Sequence, residues 1–235
     1  KIRKSVTFSM FNVNKENNLK NDNLLDKYSI YNLGYYYSDT GIIKYLKTSV
    51  NTEFSNNFGK INLEFDYRKL LKGNRQFQAR VFLGKFFWNN DRFNNFKYNL
   101  GRSGGYLFLD NYLGRSESSG LLSQQFIMAG GGFKSFFEEP TTNNFMLTTN
   151  LNIGIWKWIE GYLDLGMLKD NIGESRYFYG SGLRLNLLPD FFELYLPISS
   201  TNGFELNDYR YYNNIRFIVS YNLESIGKLF SRRWL

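Results

Sequence analysis

The chain contains no cysteine and no histidine, and its 235 residues include only 3 prolines. Without cysteine it has no thiol chemistry and no thiolate metal site. The absence of disulfides says little about compartment, because an oxidising one permits them without requiring them. Without histidine, neither a zincin metallopeptidase, which needs a His pair on a helix, nor a Ser-His-Asp hydrolase, which needs His as its base, can be built. Long apolar runs are missing too. Mean hydropathy is −0.42, and no stretch approaches the roughly 20 apolar residues of a membrane-spanning helix. A transmembrane β-barrel escapes that exclusion: its backbone groups pair between strands and only alternate residues need be apolar. The chain opens Lys1-Ile2-Arg3-Lys4, with no initiator Met and no apolar leader segment. We therefore expect a processed protein or the C-terminal part of a longer one, and favour the second.

Aromatic residues are abundant: 19% of the chain, with 23 Phe and 18 Tyr. Scarce proline suits long strands, because proline removes a ladder donor. Alternation is the dominant pattern. Leu163, Leu165 and Met167 share one parity, and Tyr162, Asp164 and Gly166 the other. Further on, Tyr177, Tyr179, Leu183, Leu185 and Leu187 oppose Phe178, Gly180, Gly182, Arg184 and Asn186. Side chains of a strand point to opposite faces at period 2. The pattern recurs at 2–13, 28–37, 42–54, 58–68, 75–86, 121–136, 144–156, 159–168, 176–188, 191–198 and 214–223. The stretch 87–120 is too long for a simple connection. Its Phe96, Tyr98, Leu100, Tyr106 and Phe108 could supply one more strand. The expected fold is all-β: an antiparallel outer-membrane β-barrel of about 12 strands, or 10 if a short strand is misassigned, over 1–223, with 87–120 a plug or long loop. The segment 224–235, with Ile226, Leu229, Phe230 and Trp234 among Lys228, Arg232 and Arg233, reads as an amphipathic tail on the periplasmic side.

On this reading Leu63, Phe65, Val81, Leu163, Leu165, Phe217 and Val219 face lipid. Glu64, Asp66, Arg80, Asp164, Arg184 and Arg216, with Arg68 and Glu193 on the same parity, face inward as a network of opposite charges. Trp88, Trp156, Trp158 and Trp234 cluster near strand ends, as an interfacial girdle requires. Carboxylates such as Glu64 and Asp66 could serve as acid and base, but no nucleophile-base pair accompanies them, and the structural role is preferred. Gly130-Gly131-Gly132 could cradle phosphate only if a helix followed. Phe133-Lys134-Ser135-Phe136-Phe137 follows instead, which favours strand bending or close approach. No catalytic, cofactor or metal residue is assigned. The net charge of +8 comes with no nucleic-acid motif. The expected partners are outer-membrane lipid, lipopolysaccharide phosphates and other outer-membrane or periplasmic proteins.

Several stretches carry a resemblance: Tyr112-Leu113-Gly114-Arg115-Ser116 followed by Leu122-Ser123-Gln124-Gln125; Gly130-Gly131-Gly132-Phe133-Lys134; Leu194-Tyr195-Leu196-Pro197-Ile198; and Lys228-Leu229-Phe230-Ser231-Arg232-Arg233-Trp234. They resemble the C-terminal β-barrel of gluzincin-type aminopeptidase-like proteins of Bacteroidota. The resemblance implies an anchor in the bacterial outer membrane, with a metallopeptidase-like domain upstream in the periplasm. The zinc-binding helix of that family is not in this sequence, so no catalytic residue carries over. The expected function is membrane anchor or embedded subunit of a larger complex. The alternatives are a passive pore for small solutes and a secreted carbohydrate-binding β-sandwich.

Overall fold

The computed structural model describes residues 1–14, 27–41, 43–73, 75–90, 96–100, 132–138, 140–188 and 192–219. The strands are β1 (Ile2–Asn14), β2 (Lys27–Thr40), β3 (Lys44–Phe54), β4 (Phe58–Leu70), β5 (Gln76–Asn89), β6 (Tyr98–Asn99), β7 (Thr141–Thr142), β8 (Phe145–Trp156), β9 (Ile159–Lys169), β10 (Ser175–Leu188), β11 (Phe192–Ser200), β12 (Gly203–Phe204) and β13 (Arg216–Val219). Two single turns of 3-10 helix, Glu205–Asn207 and Tyr211–Asn213, precede β13. Among the described residues no helix is long and apolar enough to cross a membrane.

Eleven strands form one antiparallel sheet in the order β1-β2-β3-β4-β5-β8-β9-β10-β11-β12, with β13 also paired to β11. Each long strand lies beside its neighbour in sequence, apart from the insertion between β5 and β8. The strand total matches the eleven read from the alternation, but the membership differs. Residues 132–136, expected in a strand, carry none, and 121–131 lie outside the described residues. Phe96, Tyr98 and Leu100 add no strand to the sheet: β6 pairs only with β7, in a separate two-stranded piece. The two-residue β12 arises between β11 and β13, where the alternation gave no strand. Among the described residues the sheet is not closed into a barrel, because β1 pairs with β2 and β13 with β11, but not with each other. The tail 224–235 lies outside the described residues.

Register sorts the two faces. Across β1 to β5 and β8 to β10, one row runs Val6, Tyr35, Val50, Leu63, Leu83, Leu147, Met167, Tyr177. The next runs Lys4, Tyr37, Thr48, Phe65, Val81, Thr149, Leu165, Tyr179. Together they hold one charge, Lys4, and many members are well exposed: Val6 at 70%, Phe65 at 41%, Leu165 at 43%. Behind them, on the opposite face, a row of Asp66, Arg80, Asn150, Asp164 and Gly180 crosses β4, β5, β8, β9 and β10. The exposed rows are therefore largely apolar while the buried charges and amides lie on the covered face, the reverse of a soluble sheet that faces water with its polar side.

The cover is the insertion itself. Phe96, Tyr98 and Leu100 are each 1% exposed, and Phe133, Lys134 and Phe137 are buried. Phe96 packs on Phe58 of β4 (4.5 Å between ring centroids) and Tyr28 of β2 (5.3 Å). Phe137 meets Phe178 of β10 at 5.2 Å. One core cluster thus joins Tyr28 and Ile30 of β2 to Leu168 of β9, with Phe178 of β10 packed against it. Burying each large apolar side chain contributes roughly 1.5–3 kcal/mol, and the aromatic pairs about 0.5–1.5 kcal/mol more.

The two ends of the sheet differ. The strand ends joined by 41–43, 71–75, 157–158 and 189–191 lie at one end, where β1 begins and β13 finishes. The strand ends joined by 15–26, 55–57, 90–144, 170–174 and 201–215 lie at the other. Only 55–57 and 170–174 are short among the latter, so one end is the short-turn end and the other carries the long segments.

Candidate functional site

The enclosed face carries the densest chemistry, in two ion-pair groups. In the first, Arg80 Nε of β5 donates to Glu64 Oε1 of β4 at 2.6 Å, and its Nη1 donates to Asn150 Oδ1 of β8 at 3.4 Å. Asn150 Nδ2 donates to Asp164 Oδ1 of β9 at 2.7 Å. Lys134 Nζ, from the insertion, donates to the same Asp164 oxygen at 3.0 Å. That ammonium also lies over the rings of Tyr195 (5.0 Å) and Tyr162 (5.6 Å). The insertion is thereby clamped to β9 and β11 by a buried charge.

In the second group Arg184 of β10 sits between two carboxylates. Its Nη1 donates to Glu160 Oε2 at 2.6 Å, and its Nε and Nη2 form a fork on Glu193. Glu160 also accepts from Gln76 Nε2 at 2.7 Å, and Tyr195 Oη donates to Glu193 Oε2 at 2.7 Å. Arg184 is 4% exposed, Glu160 2% and Asp164 1%. A bidentate guanidinium-carboxylate fork is the strongest common arrangement of such pairs. A third buried pair, Lys60 Nζ to Glu53 Oε1 at 3.3 Å, closes the long-segment end beneath Tyr98.

The residues read from sequence fall as follows. Glu64, Asp66, Arg80, Asp164, Arg184 and Arg216 all share the covered face by register. Hydrogen bonds link Glu64, Arg80 and Asp164 through Asn150, while Arg184 bonds to Glu160 and Glu193. Asp66 stands opposite Arg80 in register, yet the Arg80 ion pair goes to Glu64. Arg216 Nη1 donates to the Asn213 carbonyl at 2.6 Å. Leu63, Phe65, Val81, Leu163, Leu165 and Phe217 lie on the outer face. Val219 ends β13, and its side chain lies outside the described residues, as does Trp234. Trp88, 40% exposed, stands at the long-segment end of β5, stacked on Phe54. Trp156, 60% exposed, ends β8, and Trp158, 45% exposed, lies in the short turn to β9. Gly130 and Gly131 lie outside the described residues.

Sequence reasoning missed Glu160, Asn150, Lys134 and the Glu53–Lys60 pair. Glu160 was within reach, since it shares the parity of Tyr162 and Asp164 on β9. Lys134 was not, because residues 132–138 follow no strand pattern.

The wall makes room for the insertion at small residues. A Cβ on Gly166 would come within 2.9 Å of Phe133 and 3.0 Å of Leu100, and one on Gly84 within 2.6 Å of Tyr98. Tyr98 Oη donates to Asn62 Oδ1 at 2.7 Å. Burial, with the Glu53 carboxylate nearby, pushes the Tyr98 phenol above its ordinary range, so it stays a neutral donor. Gly166→Leu is therefore expected to push the insertion off β9 at a cost of about 1–3 kcal/mol. The check is protease cleavage within 90–144, which should accelerate in the variant; an unchanged digestion pattern would mean that the wall does not hold the insertion there.

Chemically, this arrangement fills and fastens. Arg184 and Asp164 are held by Glu160, Glu193, Asn150 and Lys134, and among the described residues no group of three or more acidic, His or Cys side chains could hold a metal ion. A depression of about 540 Å³ at the long-segment end is lined by Glu138, Arg176, Tyr177 and Phe178. Arg176 Nη2 there already donates to Asp170 Oδ2 at 2.8 Å and the Thr141 carbonyl at 2.6 Å. No family model matches the chain, and no curated protein or solved structure matches it either.

Proposed function

We propose that the chain is a membrane-embedded β-barrel of the bacterial outer membrane whose filled interior makes it an anchor or an embedded subunit of a larger assembly, rather than an open pore. One observation carries this reading: the outer rows from Val6 to Tyr177 and from Lys4 to Tyr179 are apolar across the sheet but for Lys4, Thr48 and Thr149, while the ion pairs sit on the covered face. A soluble monomer rarely exposes a contiguous apolar patch beyond a few hundred Å². Lipid would satisfy that surface.

Dimensions support it. The 12 residues of β8, at roughly 3.4 Å each and a barrel tilt of roughly 40°, would rise about 30 Å, enough for an apolar band of about 25 Å. Trp88 at one end and Trp156 and Trp158 at the other suit headgroup depth. Short turns at one end and longer segments at the other follow the outer-membrane habit. In this reading the edge strands β1 and β13 would meet to close the wall.

The interior argues for anchoring. Phe82, Tyr98, Phe133 and Ile218 are buried on the inside together with the paired charges. The resemblance to C-terminal barrels of Bacteroidota aminopeptidase-like proteins points the same way, with any catalytic domain belonging to residues outside this sequence. Planar-bilayer recording tests the choice. The filled interior predicts no steady single-channel current, whereas stable open channels would move the pore to first place.

A further inference from the structure

We propose that the outer face of β3 and β4, at the short-turn end, binds the phosphate of an anionic phospholipid headgroup between Lys44 and Lys69; this rests on the membrane reading above. The two lysines are directly opposed in the antiparallel register and point outward. Both are exposed. Like charges placed opposite each other across strands destabilise a sheet, and among the described residues neither ammonium meets a carboxylate. The outward-facing acid of the neighbouring row, Asp39, lies 3.8 Å from the amino group of Lys1. The adjoining turn adds positive charge instead, through exposed Lys72 and Arg75.

Position selects the anion. Lys69 pairs in register with Phe77 of β5, and the Lys44 Nζ lies 5.7 Å from the Tyr67 ring centroid. The pair therefore stands at the margin of the apolar rows, where lysine stems lie along hydrophobic surface and their heads reach the polar layer. An anion at that depth is a lipid phosphate, and it would turn a repulsive pair into a bridged one. At the opposite margin, Lys85 and Lys169 are separated by Phe145 of β8, and Lys85 bonds to Asn144. No directly opposed pair exists there among the described residues.

The test uses the full chain in mild detergent, with phosphatidylglycerol and phosphatidylcholine retention measured by native mass spectrometry. The parent should retain phosphatidylglycerol preferentially. K44Q/K69Q should lose on the order of tenfold of that preference, given the contribution of each lysine near an anionic surface. K85Q/K169Q, which removes the same charge at the other margin, should keep it. Circular dichroism of both variants should match the parent, since Lys44, Lys69 and Lys169 are exposed and half-buried Lys85 gives up a single hydrogen bond, to Asn144. Undiminished phosphatidylglycerol preference in K44Q/K69Q overturns the proposal. Displacement of the lipid by millimolar inorganic phosphate also overturns it, by making the site one for free phosphate. A parent that stays soluble without detergent and retains neither lipid overturns the membrane reading itself, a distinct failure.

Discussion

Arg184→Met is expected to destabilise the protein by about 3–5 kcal/mol, the usual cost of removing one partner from a buried ion pair. The reason lies in what is left behind. Glu160 and Glu193 would face each other across β10 without the guanidinium that bridges them at 2.6 Å and through a two-pronged fork. Glu160 would keep Gln76 as a donor and Glu193 would keep Tyr195, so neither loses every partner, but both lose their countercharge. The triple variant Glu160→Gln, Arg184→Met, Glu193→Gln removes the charges together and should recover much of the loss, because a buried pair contributes less than its breaking costs. Urea titration of the three proteins in detergent measures this. Equal stability of parent and Arg184→Met would mean that water reaches the group and that the interior is not sealed.

Phe65→Arg should cost about 2–4 kcal/mol if Phe65 sits near mid-bilayer, the depth-dependent penalty for a cation on the lipid face of a barrel. Phe65 stands between Thr48 and Val81 in register, 41% exposed, with Leu63 two residues away on the same face. In water the same change would be near neutral, since a half-exposed Phe on a solvated face gives up little on becoming Arg. The prediction thus separates lipid from water as the solvent of the outer face. Folding yield into liposomes, read as the fraction that resists protease, should fall sharply for Phe65→Arg and little for Lys69→Arg.

Facing was legible in the sequence because period 2 is a direct consequence of strand geometry. Leu63, Phe65, Arg80 and Asp164 took their sides from parity alone, and the register places them there. Partnership was less legible. Parity puts Asp66 and Arg80 on one face but cannot say that Arg80 Nε reaches Glu64, since side-chain reach crosses a register step. The insertion was the hardest part. Phe96, Tyr98 and Leu100 alternate as a strand does, yet they line a short segment held inside the sheet. Alternation reports two unlike surroundings on either side of an extended backbone, and those surroundings need not be lipid and interior. Lys134 lies in irregular chain, so its pairing with Asp164 depends on tertiary placement that no local pattern carries. Closure of the sheet is likewise a matter of how its two edge strands meet, which alternation within each strand does not encode.

Because the chain has no cysteine, single nitroxide labels can be attached at introduced cysteines with no background. The most direct test places them in turn from Ile61 to Arg68 along β4, in the liposome-reconstituted protein, and measures accessibility to oxygen against a water-soluble nickel chelate. The account predicts a period-2 oscillation: positions 61, 63, 65 and 67 open to oxygen and closed to the chelate, positions 62, 64 and 66 closed to oxygen. Chelate access at Leu63 and Phe65 equal to that at an exposed turn residue would put the outer face in water and contradict the account.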